Sequence, residues 1–332
     1  MQKLNLIIFT LLCLWFPLAQ ANTDVSSMQD EFIEKMASQY DFDATSLKNL
    51  FSQVIVSEII LKAISKPAEK RLSWYKYKDI FLNQKRINEG VIFLNKNWKK
   101  LQAAEKKFGV PAEIITAIIG VETFYGRITG SYRVVDALNT LGFYYPKRAA
   151  FFRKEFEQFL LLAREQGFDP LTLKGSYAGA MGMPQFISSS YRHYAIDFDG
   201  DNIIDIWNNS NDAIGSIANY FAEHGWQKDR PIIAKVEVNG ERYKSVLGKG
   251  LKPDLGESEL VKFGIKSNSF FEKNEKLKLF EYEGKSTNEY WLAHNNFYVI
   301  TRYNHSHLYA MAVYQLSLEI SKITNTISKT LD

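Results

Sequence analysis

The chain has 332 residues, 46% of them apolar and 14% aromatic, with a formal net charge of +4. That composition supports a folded core rather than disorder, and a charge this small, scattered rather than grouped in a stripe, excludes nucleic acid as the expected partner. Cys13 is the only cysteine and lies in an N-terminal leader, so the mature chain is expected to hold no disulfide, thiolate nucleophile or Cys-ligated metal.

Lys3, the apolar run 4–18 and Ala19-Gln20-Ala21 follow the order of a secretory signal over residues 1–21, with Asn22 as the expected mature start. The run is shorter than the ~20 apolar residues a bilayer core needs, and Pro17 interrupts its end. Leu12 precedes Cys13 where a lipoprotein signal carries a small residue, so a soluble exported protein is expected rather than one anchored at Cys13. Residues 22–109 read as an N-terminal helical region, with Phe32 and Met36, then Val91, Leu94, Trp98 and Leu101, at three- and four-residue spacing. Pro111 suits the first turn of a new helix running through Ile114, Ile115, Ile118, Ile119 and Val121 to Gly126. A second long helix is predicted over 148–166 and ended by Gly167, within a core spanning 110–227. Residues 228–303 read as a β-rich insertion, with strand-like runs at 232–238, 277–282 and 290–303. The remainder, 304–332, returns to helix over about 306–323. The fold class expected is mainly α, an α+β chain with a small inserted β-rich domain.

Three constellations carry chemistry. Glu122 falls at the far end of the isoleucine helix, where burial and the negative end of the helix dipole both favour the protonated acid that a general acid requires. On spacing alone, a glutamate solvated at a frayed helix end is the commoner outcome. The run 175–186, GSYAGAMGMPQF, has glycines at 175, 179 and 182 that let a backbone or a bulky ligand approach closely; Gln185 offers a donor and an acceptor to an N-acetyl group. A loop that simply packs against its neighbours fits the same glycines. In DFDGDNIID, Asp197, Asp199 and Asp201 alternate, Ile203 can give its carbonyl and Asp205 stands at the ninth place, as in a calcium-binding EF-hand loop. Asn202 replaces the usual glycine, and Asn208 replaces the closing glutamate, for which Asp212 can substitute. A structural Ca2+ is expected there and no organic cofactor; a solvated acidic turn is the alternative. GKST at 284–287 lacks the first glycine of a phosphate loop, and His305 and His307 without carboxylate or cysteine partners read as ordinary hydrogen-bonding residues.

Taken in order, VETFYGRITG, YYPKRAAFF, LKGSYAGAMGMPQFISSSY, the DFDGD loop with DAIGSIANYF, and NNFYVITRYNHS resemble the lytic murein transglycosylase B family over roughly residues 74–316. The resemblance implies a lysozyme-like helical core that cuts the bond between N-acetylmuramic acid and N-acetylglucosamine without water, leaving a 1,6-anhydromuramoyl end. It implies that Glu122 is the single acid and base. It also implies that Ser176, Gln185, Tyr220, Tyr303, Asn304 and Tyr309 line the sugar groove and that Arg148 faces the peptide stem or muramoyl carboxylate. Lys147 stands where the family has a second arginine, keeping the charge without the bidentate fork. An extra residue before Asp212 and the expected absence of a lipid anchor are further departures. The implied setting is a periplasmic monomer acting on peptidoglycan strands, with cell-wall synthesis or remodelling proteins as possible partners. Two alternatives stand beside it: a hydrolase using water with Asp136 as second carboxylate, and a non-catalytic, calcium-dependent wall-binding protein.

Overall fold

The computed structural model describes residues 18–65, 72–248, 250–267 and 271–331; residues 1–17, which hold Cys13 and most of the expected signal segment, lie outside them. Seven helices come first: α1 (Leu18–Tyr40), α2 (Ala44–Ser52), α3 (Glu58–Ile64), α4 (Trp74–Phe81), α5 (Gln84–Lys96), α6 (Trp98–Phe108) and α7 (Ala112–Thr123). Asp43, Ser57 and Asn83 cap three of these, each side chain accepting a backbone N–H from the first turn. Strand β1 (Tyr132–Arg133) leads into α8 (Val134–Tyr144) and α9 (Ala149–Gln166), and β2 (Lys174–Gly175) pairs antiparallel with β1. Helices α10 (Ser188–Tyr194) and α11 (Ser210–Glu223) flank the acidic loop.

Helix α7 is the axis of the molecule. Ile114, Ile115, Ile118 and Ile119 are at most 2% exposed, so it has no solvent face over most of its length. The C-terminal helix α14 (His307–Leu331) packs along it, and so do α5, α6 and α11. The N-terminal region shares this core. Phe32 of α1 and Phe51 of α2 meet Phe143 of α8 and Phe156 of α9 with ring centroids 5.3–6.0 Å apart.

The insertion carries strands β3 (Ile233–Val238), β4 (Ile265–Lys266), β5 (Lys278–Tyr282) and β6 (Glu289–Ala293), with helix α12 (Glu257–Lys262) before β4. They form one antiparallel sheet in the order β4-β3-β6-β5, over a small separate core built on Val236, Leu260, Leu277, Leu279 and Leu292. The strand expected over 290–303 is corrected here: β6 ends at Ala293, and α13 (Asn295–Tyr303) is a helix. The aromatic and β-branched content of the segment favours a strand, but Phe297 and Ile300 lie three apart and are fully buried in the main core; that packing overrides intrinsic preference. Helix α8, with almost no exposed position, had no polar face to give it a readable period. The GKST segment lies between β5 and β6, and a side chain at Gly284 would meet the Thr287 carbonyl at 2.1 Å.

Candidate active site

Helix α7 stops one turn earlier than its apolar pattern suggests. Phe124, Tyr125 and Gly126 follow Thr123 with φ of 50°, 63° and 82°, three successive residues in the left-handed region, of which only one is glycine. Such a turn persists only where its surroundings hold it. The Thr123 hydroxyl lies 3.2 Å from both the Ile119 and Met183 carbonyls and accepts the Gly126 N–H at 3.0 Å. The buried Tyr125 ring packs over Gly120, and its hydroxyl donates to the Arg86 carbonyl at 2.8 Å. Arg86 in turn donates to the Gly120 carbonyl and stacks on Phe81 and Phe124. The backbone carrying Glu122 is thus fixed from two sides.

Glu122 itself is half-buried, and the Tyr309 hydroxyl of α14 donates to its Oε1 at 2.5 Å. Tyr309 is 3% exposed. Burial first, then the charge of Glu122, pushes the phenols of Tyr309 and Tyr303 well above their ordinary range, so both remain protonated donors. The Tyr303 hydroxyl donates to the Pro184 carbonyl at 2.7 Å, and its ring packs against Tyr220 and Phe186.

A cavity of about 510 Å³ opens beside Tyr303, with Gln185, Tyr220, Tyr303 and Arg148 in its walls; Glu122 and Tyr309 are not among its lining residues. His193, Tyr194, His224, Arg302 and His305 also line it, and none of these was singled out from sequence as a groove residue. The His224 ring, at the C-terminal cap of α11, stacks on Tyr220 at 4.0 Å, four residues on, which is the helical spacing that could have revealed it. His305 pairs with Arg302 at 3.2 Å, the hydrogen-bonding role expected of it, whereas His307 stacks on Phe280 and its buried Nδ1 has no hydrogen-bond partner among the described residues, contrary to that expectation. No aspartate or glutamate lines this cavity among the described residues.

Other residues fall less simply. Gln185 uses its side-chain N–H groups on the Thr129 and Gly182 carbonyls, leaving the carbonyl oxygen as the free end of the amide. Ser176 accepts the Ala178 and Ala180 N–H groups and so braces its own loop. Arg148 lies with its guanidinium 4.2 Å from the Phe151 ring centroid, whereas the exposed Lys147 does not line the cavity. Asn304 is half-buried at the end of α13, its carbonyl accepting the Ser306 N–H. Asp136 is held by Arg133 through two hydrogen bonds of 2.7 and 2.8 Å and accepts the Ile55 N–H, a role that ties α8 to the N-terminal region. The glycines of 175–182 serve the packing alternative. A side chain at Gly175 would meet the Ala180 carbonyl at 2.3 Å, at Gly179 the Leu138 side chain at 2.8 Å, and at Gly182 the Ile206 carbonyl at 2.6 Å.

In the acidic loop, Asp197, Asp199 and Asp201 each present a carboxylate oxygen, and the three lie within 4.8 Å of one another. Asn202 has the left-handed conformation, φ 67°, that its place in the loop requires. The exposed Ile203 donates its N–H to Asp201. Asp212 is fully buried and does not join the cluster: its two oxygens accept the Phe198 and Asp205 N–H groups, at 2.9 and 2.8 Å. Burial pushes its carboxyl up, and the nearby charges of Asp199 and Asp197 add to the shift. Like charges gathered this closely are what a divalent cation would relieve.

A helical body whose buried central helix ends in one glutamate, held by Tyr309 and acting electrostatically on Tyr303 in the wall of an aromatic, cationic groove, defines a lysozyme-like, glycan-cleaving enzyme. The transglycosylase SLT domain family matches residues 24–318. Membrane-bound lytic murein transglycosylase B of Escherichia coli is 40% identical over 300 residues, covering 88% of this chain and 82% of that protein. The crystal structure of the soluble lytic transglycosylase SltB1 of Pseudomonas aeruginosa superposes with a TM-score of 0.86 at 51% identity, over 90% of this chain and 99% of that one. The Escherichia coli lytic transglycosylase Slt35, solved in complex with calcium, gives 0.82 at 40% identity, over 89% and 93% of the two chains. The chain belongs to the SLT transglycosylase family and is a lytic transglycosylase.

Proposed function

We propose that the enzyme cleaves the MurNAc–GlcNAc bond of peptidoglycan with Glu122 as its only acid and base. The observation that carries this reading is that Glu122 accepts the Tyr309 hydroxyl and acts electrostatically on Tyr303, a wall of a groove in which no other carboxylate stands among the described residues, while Asp136 is committed to Arg133. Glu122 protonates the departing glycosidic oxygen as the C1–O bond breaks, and the muramoyl acetamido oxygen supports the cationic C1 in place of a second carboxylate. The resulting carboxylate, favoured by the Tyr309 hydrogen bond, removes the proton of the muramoyl C6 hydroxyl, whose oxygen closes on C1. One proton leaves Glu122 and one returns, and no water is consumed. Mass spectrometry of digested sacculi tests the reading. Muropeptides one water lighter than hydrolytic products are expected, and hydrated ends would transfer the assignment to a muramidase.

Tyr309→Phe removes the donor to the carboxylate without altering the packing of the ring. A charge-assisted hydrogen bond is worth about 1.5–3 kcal/mol, so turnover should fall roughly 10- to 100-fold with little change in melting temperature. Unchanged turnover would remove Tyr309 from the mechanism.

Asp197, Asp199 and Asp201 fit a calcium ion held by oxygen donors, with the Ile203 carbonyl as a further ligand, and Asp212 braces that loop from behind. Its role would be structural, because the Met183 N–H donates to the Ile206 carbonyl at the end of the same loop and so ties it to the groove. An ion present at about 100 times its dissociation constant adds ~2.7 kcal/mol, and each kcal/mol moves the midpoint of a large domain by ~2–4 °C. Chelation should therefore lower the melting temperature by ~5–10 °C in the parent and leave Asp199→Ala unmoved; an equal response in both would exclude the site. A signal over residues 1–21 and a periplasmic location suit a murein substrate, and no helix among the described residues is long and apolar enough to cross a membrane.

A further inference from the structure

A second polar cavity, of about 430 Å³, lies at the seam between the helical body and the inserted sheet, with Arg230, Lys252, Lys273 and Lys276 in its walls against Glu272 and Glu275. The two acids are already engaged. Arg230 donates to Glu272 at 2.7 Å and to Glu275 at 2.9 Å, and Glu275 also meets the buried ring of His294 at 2.8 Å. Lys276 pairs only loosely, at 3.4 Å, with Glu259 on the exposed surface. Lys252 and Lys273 are exposed and have no ion pair or hydrogen bond among the described residues. The seam thus presents an excess of positive charge with no acid left to answer it, and such a site favours a carboxylate ligand.

Helix α13 connects this cavity to the groove. Asn295 and Tyr298, near its N-terminal end, line the seam, whereas Arg302 and Tyr303, at its C-terminal end, line the groove. Tyr298 and Arg302 lie one helical turn apart, with the guanidinium 6.0 Å from the ring centroid, so the polar surface passes from one cavity towards the other. Nine residues of helix measure about 13 Å. A murein peptide stem of about five residues spans at most ~17 Å when extended. A stem whose sugar lies in the groove is long enough to reach the seam.

We infer that the seam cavity is an accessory site for the terminal carboxylates of murein peptide stems, which anchors the strand while its sugars occupy the groove. The inference rests on the murein reading above. Lys252 and Lys273 supply the recognising charge, and the Arg230–Glu275–His294 cluster holds the wall behind them.

The test uses the mature enzyme carrying Glu122→Gln, so that strands are bound and not cut, with and without Lys252→Glu/Lys273→Glu. Co-sedimentation is measured on intact sacculi and on glycan stripped of its peptides by an amidase. The double reversal should weaken binding to intact sacculi about 10-fold and leave binding to stripped glycan as it was. Equal binding to intact sacculi, or the same loss on both polymers, would overturn the inference. The neutral pair Lys252→Ala/Lys273→Ala, with its melting temperature measured, should give a smaller loss of the same selectivity, and no selectivity in a folded neutral pair also counts against the site. Failure of the catalytic reading registers separately, as cleavage by Glu122→Gln.

Discussion

Glu122→Gln should reduce turnover of sacculi by roughly 10³-fold or more while the protein folds, melts and binds glycan as the parent does. General acid–base catalysis contributes about 10²–10⁴-fold in a single role, and this side chain is assigned both the acid and the base step. Glutamine keeps the shape and keeps an oxygen to accept the Tyr309 hydroxyl, so the hydrogen bond that orients the group survives. What disappears is only the exchangeable proton. Steady-state kinetics and a thermal melt on the same preparation decide the matter. Loss of activity with a lowered melting temperature would indicate damage to the end of α7 rather than to the chemistry, and retained activity would reject the single-acid mechanism.

A large effect on stability is expected from Gly182→Ala. Gly167 and Gly182 share the same φ of 67°, but an added side chain meets nothing within 4 Å at Gly167 and the Ile206 carbonyl at 2.6 Å at Gly182. The backbone penalty for a left-handed L-residue, about 1–2 kcal/mol, is therefore common to both. At Gly182 the loop must also move off a backbone carbonyl, which disturbs the Met183–Ile206 hydrogen bond and the end of the acidic loop. Gly167→Ala should cost ~1 kcal/mol and Gly182→Ala ~3 kcal/mol or more. Denaturant unfolding of both variants checks the difference. Equal losses would mean that the loop relaxes freely and that its glycines serve conformation alone.

The places where sequence and structure agree and part have identifiable causes. The helix of 112–123 was legible because isoleucines at three- and four-residue spacing leave little other choice, and the acidic loop because alternating aspartates with a left-handed asparagine are a local pattern. The glycine run was visible but its purpose was not, since whether a ligand or a neighbouring backbone fills the space depends on what lies opposite. His224 and Arg302 carried no motif of their own and became groove residues only through the rings stacked beside them.

By itself, the amino-acid order determined that a buried helix ends in a carboxylic acid, that three aspartates alternate in one tight loop, and that most of the chain is helical, because each of these depends on neighbours within a few residues. The tertiary structure alone decided that Tyr309 meets Glu122 across 187 residues, that Asp136 is held by Arg133, and that residues 295–303 coil rather than extend. The reason is physical. Burial and hydrogen-bond partners set the role of a polar side chain, and both are properties of the packed chain that no local spacing encodes.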